Sequence, residues 1–273
     1  MSPPPIDLIA LEDLALAAGR EIMDVYATDF SAMSKSDGSP VTIADHRAEA
    51  VILKGLTALT PGVPVVAEEQ MEAGNLPRLR DVFYLVDPLD GTRDFVEKRS
   101  GEFTVNIGLI EHGAPVGGVI YAPATGKLYS GARGQAFFTP CDINTATRSG
   151  PRKSIHVSHT NALRALVSRT SKADLLDRFL KRVEAAEERN MSSSIKLCLL
   201  AAGEAELYPR FGPVNEWDLA AGHAILAAAG GGLMRRDGAE LVYGQRAPDF
   251  LVHGFVAHAG GAAEKRARAA LAP

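Results

Sequence analysis

The spacing of apolar residues predicts two helices at the start of the chain. Between Ile6 and Tyr26 the apolar positions recur about every 3.6 residues, which is the period of one helical face. Thr42, followed three residues later by Asp45, resembles a capping box and predicts a second helix over Ile43–Leu59. The run of turn formers between the two helices predicts an exposed loop, Ser34–Pro40.

Short apolar runs in the middle of the chain predict strands. Thr104–Ile110 and Val116–Tyr121 are linked through Glu111–Ala114 and predict a hairpin. Thr139–Pro151 is polar and without clear periodicity, so we place a boundary there between an N-terminal half (1–150) and a C-terminal half (151–273). The other strands predicted in the first half are Val63–Ala67, Val82–Val86, Lys127–Ser130 and Gln135–Phe138.

The second half of the chain combines predicted strands with predicted helices. This mixture, together with the hairpin upstream, predicts a layered α+β or α/β fold rather than a pure doubly wound sheet. The predicted strands are Ile155–Val157, Ala165–Ser168, Glu206–Tyr208 and Phe255–Ala257. The predicted helices are Ala173–Glu188, Ile195–Ala202, Leu219–Ala229 and Ala262–Leu271.

Composition narrows the class of protein. The chain has 29 Lys and Arg against 33 Asp and Glu, a net charge of −4, so no charge bias indicates a nucleic-acid or membrane surface. Two cysteines without a C-x-x-C pair exclude a disulfide framework and a structural zinc site. The first residues lack a signal-peptide pattern and no apolar run is long enough to span a membrane, so we expect a cytoplasmic protein. Loose association with the inner membrane and the oligomeric state stay open.

The most informative segment follows the predicted strand Val82–Val86. Asp87 and Asp90 lie three residues apart across a turn, Gly91 allows an unusual backbone conformation, and Thr92 suits a helix N-cap. Backbone N–H groups at such a helix start would cradle a phosphate. Two carboxylates about 4 Å apart repel each other by about 4 kcal/mol at a dielectric constant of about 20, so a converging pair needs protons or a cation. Oxygen ligands favour Mg²⁺, although the segment taken alone could be an ordinary turn.

Four further acidic residues have ordinary interpretations when each is taken alone. Glu68 and Glu69 could be a solvated end of a strand. Asp218, which follows the single tryptophan, could be a stabilising acid at a helix N-terminus, and Asp45 could serve only the capping box.

Together, these motifs resemble the lithium-sensitive, Mg²⁺-dependent phosphatases of the inositol monophosphatase family. The family's two signatures resemble Asp87–Thr92 and Trp217–Gly222, with the Glu68–Glu69 pair upstream. The resemblance covers nearly the whole chain. It implies a sugar-phosphatase fold of alternating α and β layers and the hydrolysis of a phosphoric monoester.

The same resemblance implies a set of metal ligands. A first Mg²⁺ would bind Glu68, Asp87 and the carbonyl oxygen of Leu89. A second would bind Asp87, Asp90 and Asp218, so that Asp87 bridges the pair. Whether two or three ions bind stays open, and a third would lie near Glu68.

The resemblance also implies how the other site residues act. Glu68 and Thr92 would position the attacking water, Asp45 would orient waters near the third ion, and Gly91 with Thr92 would hold the phosphate. The substrate would therefore contact the following residues of the signatures: Leu89, Asp90, Gly91, Thr92 and Asp218.

Within the family, the chain is most similar to the bacterial 3′(2′),5′-bisphosphate nucleotidases. These enzymes hydrolyse 3′-phosphoadenosine 5′-phosphate (PAP) to AMP and phosphate in sulfur assimilation. Arg210 and Lys196 match positions suited to a second phosphate, although each alone could be a surface charge. Ser192 and Asp94 depart from the glycine and glutamate usual in this branch. The stretches that carry the similarity are Lys35–Thr42, Gly101–Ile107, Ser193–Cys198 and Leu207–Arg210.

Three functions therefore stay open at this point. The first is a PAP phosphatase, for which activity on the sulfated parent PAPS is undecided. The second is an inositol monophosphatase, whose polyol substrate would suit a glutamate near position 210 rather than the arginine present. The third is a protein that binds Mg²⁺ and a phosphonucleotide without catalysis.

Overall fold

A computed structural model describes residues 6–35, 40–168, 174–245 and 249–272, and in these ranges the chain forms two large β-sheets, two short two-stranded sheets and the helices packed on them. In these ranges the helices are α1 (Leu8–Tyr26), α2 (Ile43–Leu59), α3 (Glu68–Glu72), α4 (Thr92–Val96), α5 (Asp174–Arg182), α6 (Ile195–Ala201), α7 (Glu216–Ala228) and α8 (Gly261–Leu271). The strands of the first half are β1 (Met33–Ser34), β2 (Pro40–Val41), β3 (Val65–Ala67), β4 (Val82–Asp90), β5 (Thr104–Glu111), β6 (Ala114–Ala122), β7 (Lys127–Ala132), β8 (Gln135–Asp142), β9 (Thr147–Arg148) and β10 (Lys153–Ile155). The later strands are β11 (Arg164–Ser168), β12 (Glu187–Met191), β13 (Leu207–Arg210), β14 (Val214–Asn215), β15 (Gly232–Arg235), β16 (Leu251–Val252) and β17 (Phe255–His258).

The first sheet has the strand order β10-β8-β7-β6-β5-β4-β3, with β9 paired to β8. Only β3 and β4 are parallel, and the other neighbouring strands are antiparallel. Successive side chains of a strand point to opposite faces, so each strand supplies two cores. On β4, for example, Tyr84 and Val86 pack with α1 and α2, whereas Phe83 and Leu85 pack with α6 and α7.

The second sheet has the order β12-β11-β13-β17-β15. Its β11 runs parallel to β12 and β13, and β17 runs antiparallel to β13 and β15. One face packs against α6 and α7, and the other against α5 and α8. The layers therefore alternate from α1 and α2 to α5 and α8 as helix, sheet, helix, sheet, helix. This arrangement confirms the predicted layered fold.

A row of three glycines lets α7 lie with its backbone on the first sheet. Gly108, Gly118 and Gly131 are cross-strand partners on β5, β6 and β7. A Cβ atom on Gly118 would lie 2.3 Å from the carbonyl oxygen of Ala221, and one on Gly131 would lie 2.8 Å from the Cα atom of Ile225. No real side chain fits at these distances. Since α7 begins beside the ends of β4 and β13, this contact fixes the position of its first turn.

Most predicted elements are confirmed, with shifts at their ends. The helix over Ile43–Leu59 begins and ends as predicted, and Thr42 and Asp45 form the capping box. Of the predicted loop Ser34–Pro40, Lys35 and both ends lie in the described residues, and 36–39 lie outside them.

Two predictions of secondary structure are wrong. Within Thr139–Pro151, β8 continues to Asp142 and β9 pairs with it, because cross-strand hydrogen bonding extends the hairpin without an apolar pattern. The helix predicted over Ala173–Glu188 ends at Arg182, and 187–191 form an edge strand beside β11. The boundary between residues 150 and 151 stays a prediction, and β10, which follows it, still pairs with β8 of the first sheet.

Among the helices of the described ranges, none combines the length and the apolar character that a membrane span requires.

Replacing Gly118 with Ala should destabilise the protein, because the new methyl group would overlap the backbone of α7. Overpacking of a core costs about 2 kcal/mol or more when the neighbour is backbone rather than a movable side chain. Urea-induced unfolding would measure this loss. Gly212→Ala is the matched control, since a Cβ atom there would have no neighbour within 4 Å. Equal stability of the two variants would contradict the close helix–sheet contact.

Candidate active site

A cavity of about 490 Å³ opens where the ends of β4 and β13 meet the starts of α4, α6 and α7. All the residues predicted for the site line this cavity except Asp45. Three of its carboxylates converge from separate elements: Glu68 begins α3, Asp87 lies on β4, and Asp218 lies in the first turn of α7. One oxygen from each of these three side chains lies within 4.8 Å of the other two.

Local hydrogen bonds fix two of the three carboxylates. Asp87 lies inside β4 rather than beyond its end, and its Oδ1 atom accepts a bond of 2.9 Å from the N–H group of Leu89. The pairing of β4 with β5 is irregular between Asp87 and Asp90, which is the place where the strand turns toward the cavity. Asp218 forms a capping box with Asn215, so its helix-capping role and its place in the cluster coexist.

Electrostatics make this cluster costly without a counterion. Burial raises the pKa of Asp87 well above its usual range, and the charges of Glu68, Asp90 and Asp218 raise it further. The pKa of Asp218 is also raised, by burial and then by the charges of Asp90 and Glu68. Converging carboxylate oxygens are the donor chemistry that Mg²⁺ requires, and the raised pKa values reflect the negative charge that a cation would neutralise. The residues present therefore fit a Mg²⁺ site.

Lys35 supplies one positive charge at the edge of this cluster. Its Nζ atom lies 2.6 Å from Oε1 of Glu68 and 2.7 Å from Oε1 of Glu69. Burial alone would lower the pKa of Lys35, but the two glutamates raise it above its usual value. The Glu68–Glu69 pair is thus not a solvated strand end.

Glu49 lies behind the start of α3. Its Oε2 atom accepts a bond of 2.9 Å from the N–H group of Glu69. Burial raises the pKa of Glu49 to about 7, against the lowering effect of that bond. Glu49 therefore holds the helix start that presents Glu68 to the cavity.

Asp45 acts on the site through Thr92. One Asp45 oxygen accepts from the backbone and hydroxyl of Thr42, at 2.7 and 2.8 Å, and the other lies 3.3 Å from the Thr92 hydroxyl. The same hydroxyl lies 2.9 Å from the carbonyl oxygen of Leu89. Thr92 is the first residue of α4 and not its N-cap as predicted. The N-cap is Gly91, whose φ of 89° is left-handed and suits glycine.

Asp90 lines the cavity but lies outside the converging trio. Its Oδ2 atom accepts a short hydrogen bond from the backbone N–H group of Ser194. Burial raises the pKa of Asp90, whereas the positive charge of Lys196 and the bond from Ser194 lower it. Asp90 is therefore held toward α6, on the side of the cavity where the cations lie.

Two basic residues face the carboxylates. Lys196 is buried, with its Nζ atom 2.5 Å from the carbonyl oxygen of Ser193 and 4.9 Å from the ring centre of Tyr208. Arg210 is half-buried, and its guanidinium donates to the carbonyl oxygen of Pro213 at 3.1 Å. Burial raises the pKa of Tyr208 to about 12 against the lowering effect of Arg210. Lys196 is thus not a solvated helix residue.

The two departures from the branch pattern also line the cavity. The N–H group of Ser192 donates to Oε2 of Glu102 at 2.8 Å, so the serine is held at its backbone. Asp94 accepts from the hydroxyl of Ser100 at 3.2 Å.

Several residues of the site were not assigned a role from sequence. Lys35, Thr104 and Asn106 lie in stretches that carry the family resemblance. Thr104 and Asn106 are polar residues at alternate positions of an otherwise apolar strand, and this pattern indicates one buried polar face. For Glu49 no sequence signal exists, because an acid in the middle of a helix is usually solvated.

Comparisons with known proteins agree with the family resemblance that the sequence motifs indicated. A sequence profile of the inositol monophosphatase family matches residues 7–271. The chain is 44% identical to the 3′(2′),5′-bisphosphate nucleotidase CysQ of Escherichia coli O157:H7 over 244 residues, which cover 89% of this chain and 95% of that protein. It is 45% identical to CysQ of Salmonella typhimurium, with the same coverage.

Solved structures share the fold. CysQ from Bacteroides thetaiotaomicron, a bacterial member of the inositol monophosphatase family, superimposes with a TM-score of 0.75 at 32% identity, over 92% of this chain and 96% of that one. The suppressor protein SuhB from Bartonella henselae gives a TM-score of 0.75 at 23% identity, over 96% and 97% of the two chains, which is evidence for the fold alone.

Asp87→Asn should stabilise the metal-free protein at neutral pH. The pKa of Asp87 is raised on folding, so its ionisation opposes folding as the pH rises above the unfolded value of about 3.9. We expect a gain of about 1 kcal/mol or more in EDTA, measured by urea unfolding, that shrinks as the pH falls toward about 4. With Mg²⁺ added, only the wild type should gain stability.

The control for this prediction is Asp142→Asn. Asp142 is half-buried at the surface, outside the cavity lining, and hydrogen bonds from the backbone N–H groups of Thr145 and Asn144 lower its pKa. Its replacement should therefore reduce stability at neutral pH and leave the response to Mg²⁺ unchanged. A loss of stability in metal-free Asp87→Asn would contradict the repulsion within the cluster.

Proposed function

The chain belongs to the inositol monophosphatase family, and on this premise we propose that it is a Mg²⁺-dependent 3′(2′),5′-bisphosphate nucleotidase. Its substrate is PAP, and its products are AMP and phosphate. The observation that carries the proposal is one cavity lined both by converging carboxylates and by the cations Arg210 and Lys196. Such a cavity suits an ester that bears one phosphate to be cleaved and a second to be recognised.

The carboxylates would hold the metal. Glu68, Asp87 and the Leu89 carbonyl oxygen form one set of ligands, and Asp87, Asp90 and Asp218 form a second. When bound, Mg²⁺ supplies charge for the phosphate oxygens and makes a coordinated water more acidic. Two sets of ligands support two ions, and a third would lie beside Glu68.

The remaining residues orient the reactants. Glu68 and Thr92 hold the attacking water, and the contacts of Thr92 with Asp45 and Leu89 restrict how its hydroxyl can turn. The backbone N–H groups of Gly91 and Thr92 hold the phosphate that is cleaved. Water attacks the phosphorus atom directly and the bond to the ribose 3′ oxygen breaks. The proton that the attacking water gives up balances the one that the 3′ oxygen takes up as AMP leaves.

Arg210 and Lys196 recognise the 5′-phosphate. A guanidinium can form two parallel charge-assisted bonds with a phosphate. A glutamate at the same place would repel the phosphate. Lys196 contributes a buried positive charge and holds the carbonyl of Ser193, so the 192–194 turn keeps its shape around the ligand. This pair favours a bisphosphate over inositol 1-phosphate.

A phosphate-release assay with PAP, PAPS, inositol 1-phosphate and fructose 1,6-bisphosphate tests the proposal. We expect PAP to be hydrolysed faster than inositol 1-phosphate, only with Mg²⁺, and Asp90→Asn to abolish turnover. The PAPS arm decides whether the sulfated parent is also a substrate. Faster hydrolysis of inositol 1-phosphate than of PAP would indicate that the protein is an inositol monophosphatase instead. Mg²⁺-dependent binding of PAP without phosphate release would indicate a binding protein.

Arg210→Glu should reduce kcat/KM for PAP far more than for inositol 1-phosphate. Loss of a charge-assisted pair and the new repulsion predict a decrease of about 100-fold or more for PAP, which corresponds to about 2.7 kcal/mol. Steady-state kinetics with both substrates measure the split. The control is Arg178→Glu, which makes the same charge change on α5, outside the cavity. Equal losses on both substrates would remove Arg210 from the phosphate site.

A further inference from the structure

A buried line of polar side chains lies behind Asp90. Thr104 and Asn106 on β5 are fully buried, and Ser194, just before α6, is 5% exposed. The Ser194 hydroxyl oxygen lies 2.8 Å from the Thr104 hydroxyl oxygen and 2.7 Å from Oδ1 of Asn106. Polar groups so deep in a core are costly unless each is hydrogen-bonded, and the Nδ2 atom of Asn106 has no partner in the described part of the chain, so their presence calls for a reason.

The direction of these bonds follows from their chemistry. An amide oxygen can only accept, so the hydroxyl of Ser194 donates to Asn106. The oxygen of Ser194 must then accept from Thr104, whose hydroxyl is the remaining donor of the pair. The Ser194 side chain is therefore held from two positions of one strand, with its single proton committed.

Ser194 passes this constraint to the cavity through its backbone. Its N–H group donates the short bond to Oδ2 of Asp90. In the pairing of β4 with β5, Thr104 is opposite Asp90, and Asn106 is opposite Asp87. The polar face of β5 thus lies directly beside the two aspartates of the signature.

Thr104, Asn106 and Ser194 thus form a hydrogen-bonded relay behind Asp90. The relay joins parts of the chain that are distant in sequence. Thr104 and Asn106 belong to the first sheet, whereas Ser194 is the N-cap of α6, the helix that packs between the two sheets. Without the relay, the loop before α6 would keep its backbone bond to Asp90 but lose its anchor on β5. The carboxylate of Asp90 would then be free to follow the loop.

We propose that Ser194, Thr104 and Asn106 are positioning residues that fix the Asp90 carboxylate in the orientation needed for metal binding. This inference rests on the proposed function, in which Asp90 is a Mg²⁺ ligand. Residues that orient ligands from behind typically change metal affinity by about 10–100-fold when removed.

The test compares Ser194→Ala and Thr104→Val with Ser130→Ala. Thr104→Val keeps the side-chain shape and removes only the donor to Ser194. Ser130 is an equally buried serine of the first sheet, hydrogen-bonded to Glu12 at 2.6 Å, and it does not line the cavity. Calorimetric titration with Mg²⁺ measures affinity directly, urea unfolding measures stability, and PAP hydrolysis across Mg²⁺ concentrations gives kcat at saturation.

Both relay variants should bind Mg²⁺ about 10-fold or more weakly, with most of the wild-type kcat recovered at saturating Mg²⁺. Ser130→Ala should lose stability but keep wild-type Mg²⁺ affinity. Wild-type Mg²⁺ affinity in both relay variants, with a loss of stability like that of Ser130→Ala, would overturn the inference. If the wild type itself neither binds Mg²⁺ nor hydrolyses PAP, the proposed function fails, and that result is distinct from the first.

Discussion

The site depends on how closely α7 can approach the first sheet. Asp218 reaches Asp87 only because the helix backbone lies on the glycine row of β5, β6 and β7, where any Cβ atom would collide with Ala221 or Ile225. Side chains in that row would lift α7 away and carry Asp218 out of the 4.8 Å cluster. The convergence of the carboxylates in the cavity therefore depends on the packing of small residues in the core. Ordinary core packing, which prefers large apolar side chains, would not build this site.

Convergence has an energetic consequence for the metal-free fold. The pKa values of Asp87 and Asp218 are raised by burial and by neighbouring carboxylates, so the ionised cluster opposes folding at neutral pH. Lys35 offsets part of this cost at one edge, and Lys196 lowers the pKa of Asp90 at the other. These cations lie around the cluster and leave its centre to oxygen atoms. A divalent cation bound at this centre would remove the repulsion between the carboxylates and so stabilise the folded state.

The sequence predicted the fold well where local chemistry decides it. The Thr42 capping box and the Asp-Pro-Leu-Asp-Gly-Thr turn are local features, and both were located from residue types alone. The edge strand at 187–191 was missed because its Glu-Glu-Arg-Asn run has no strand pattern, and only pairing with β11 makes it one. Similarly, the Lys35 ion pairs and the Thr104–Ser194–Asn106 relay join residues far apart in sequence. Such contacts exist only after folding, and no periodicity encodes them.

Hydrolysis and recognition are divided between the two sheets under the proposed function. The residues that hold metal and water come mainly from β4 and the helices beside it, whereas Lys196 and Arg210 come from α6 and β13. The cleaving groups are thus held mainly by the first sheet, while Arg210, whose guanidinium donates to the carbonyl oxygen of Pro213, can change without breaking a bond to them. Ser194 is the point where the two sets meet, because its backbone touches Asp90 and its neighbour Ser193 binds Lys196. A change of substrate preference within this fold is therefore expected to preserve the turn around Ser194 and to alter residues beyond it.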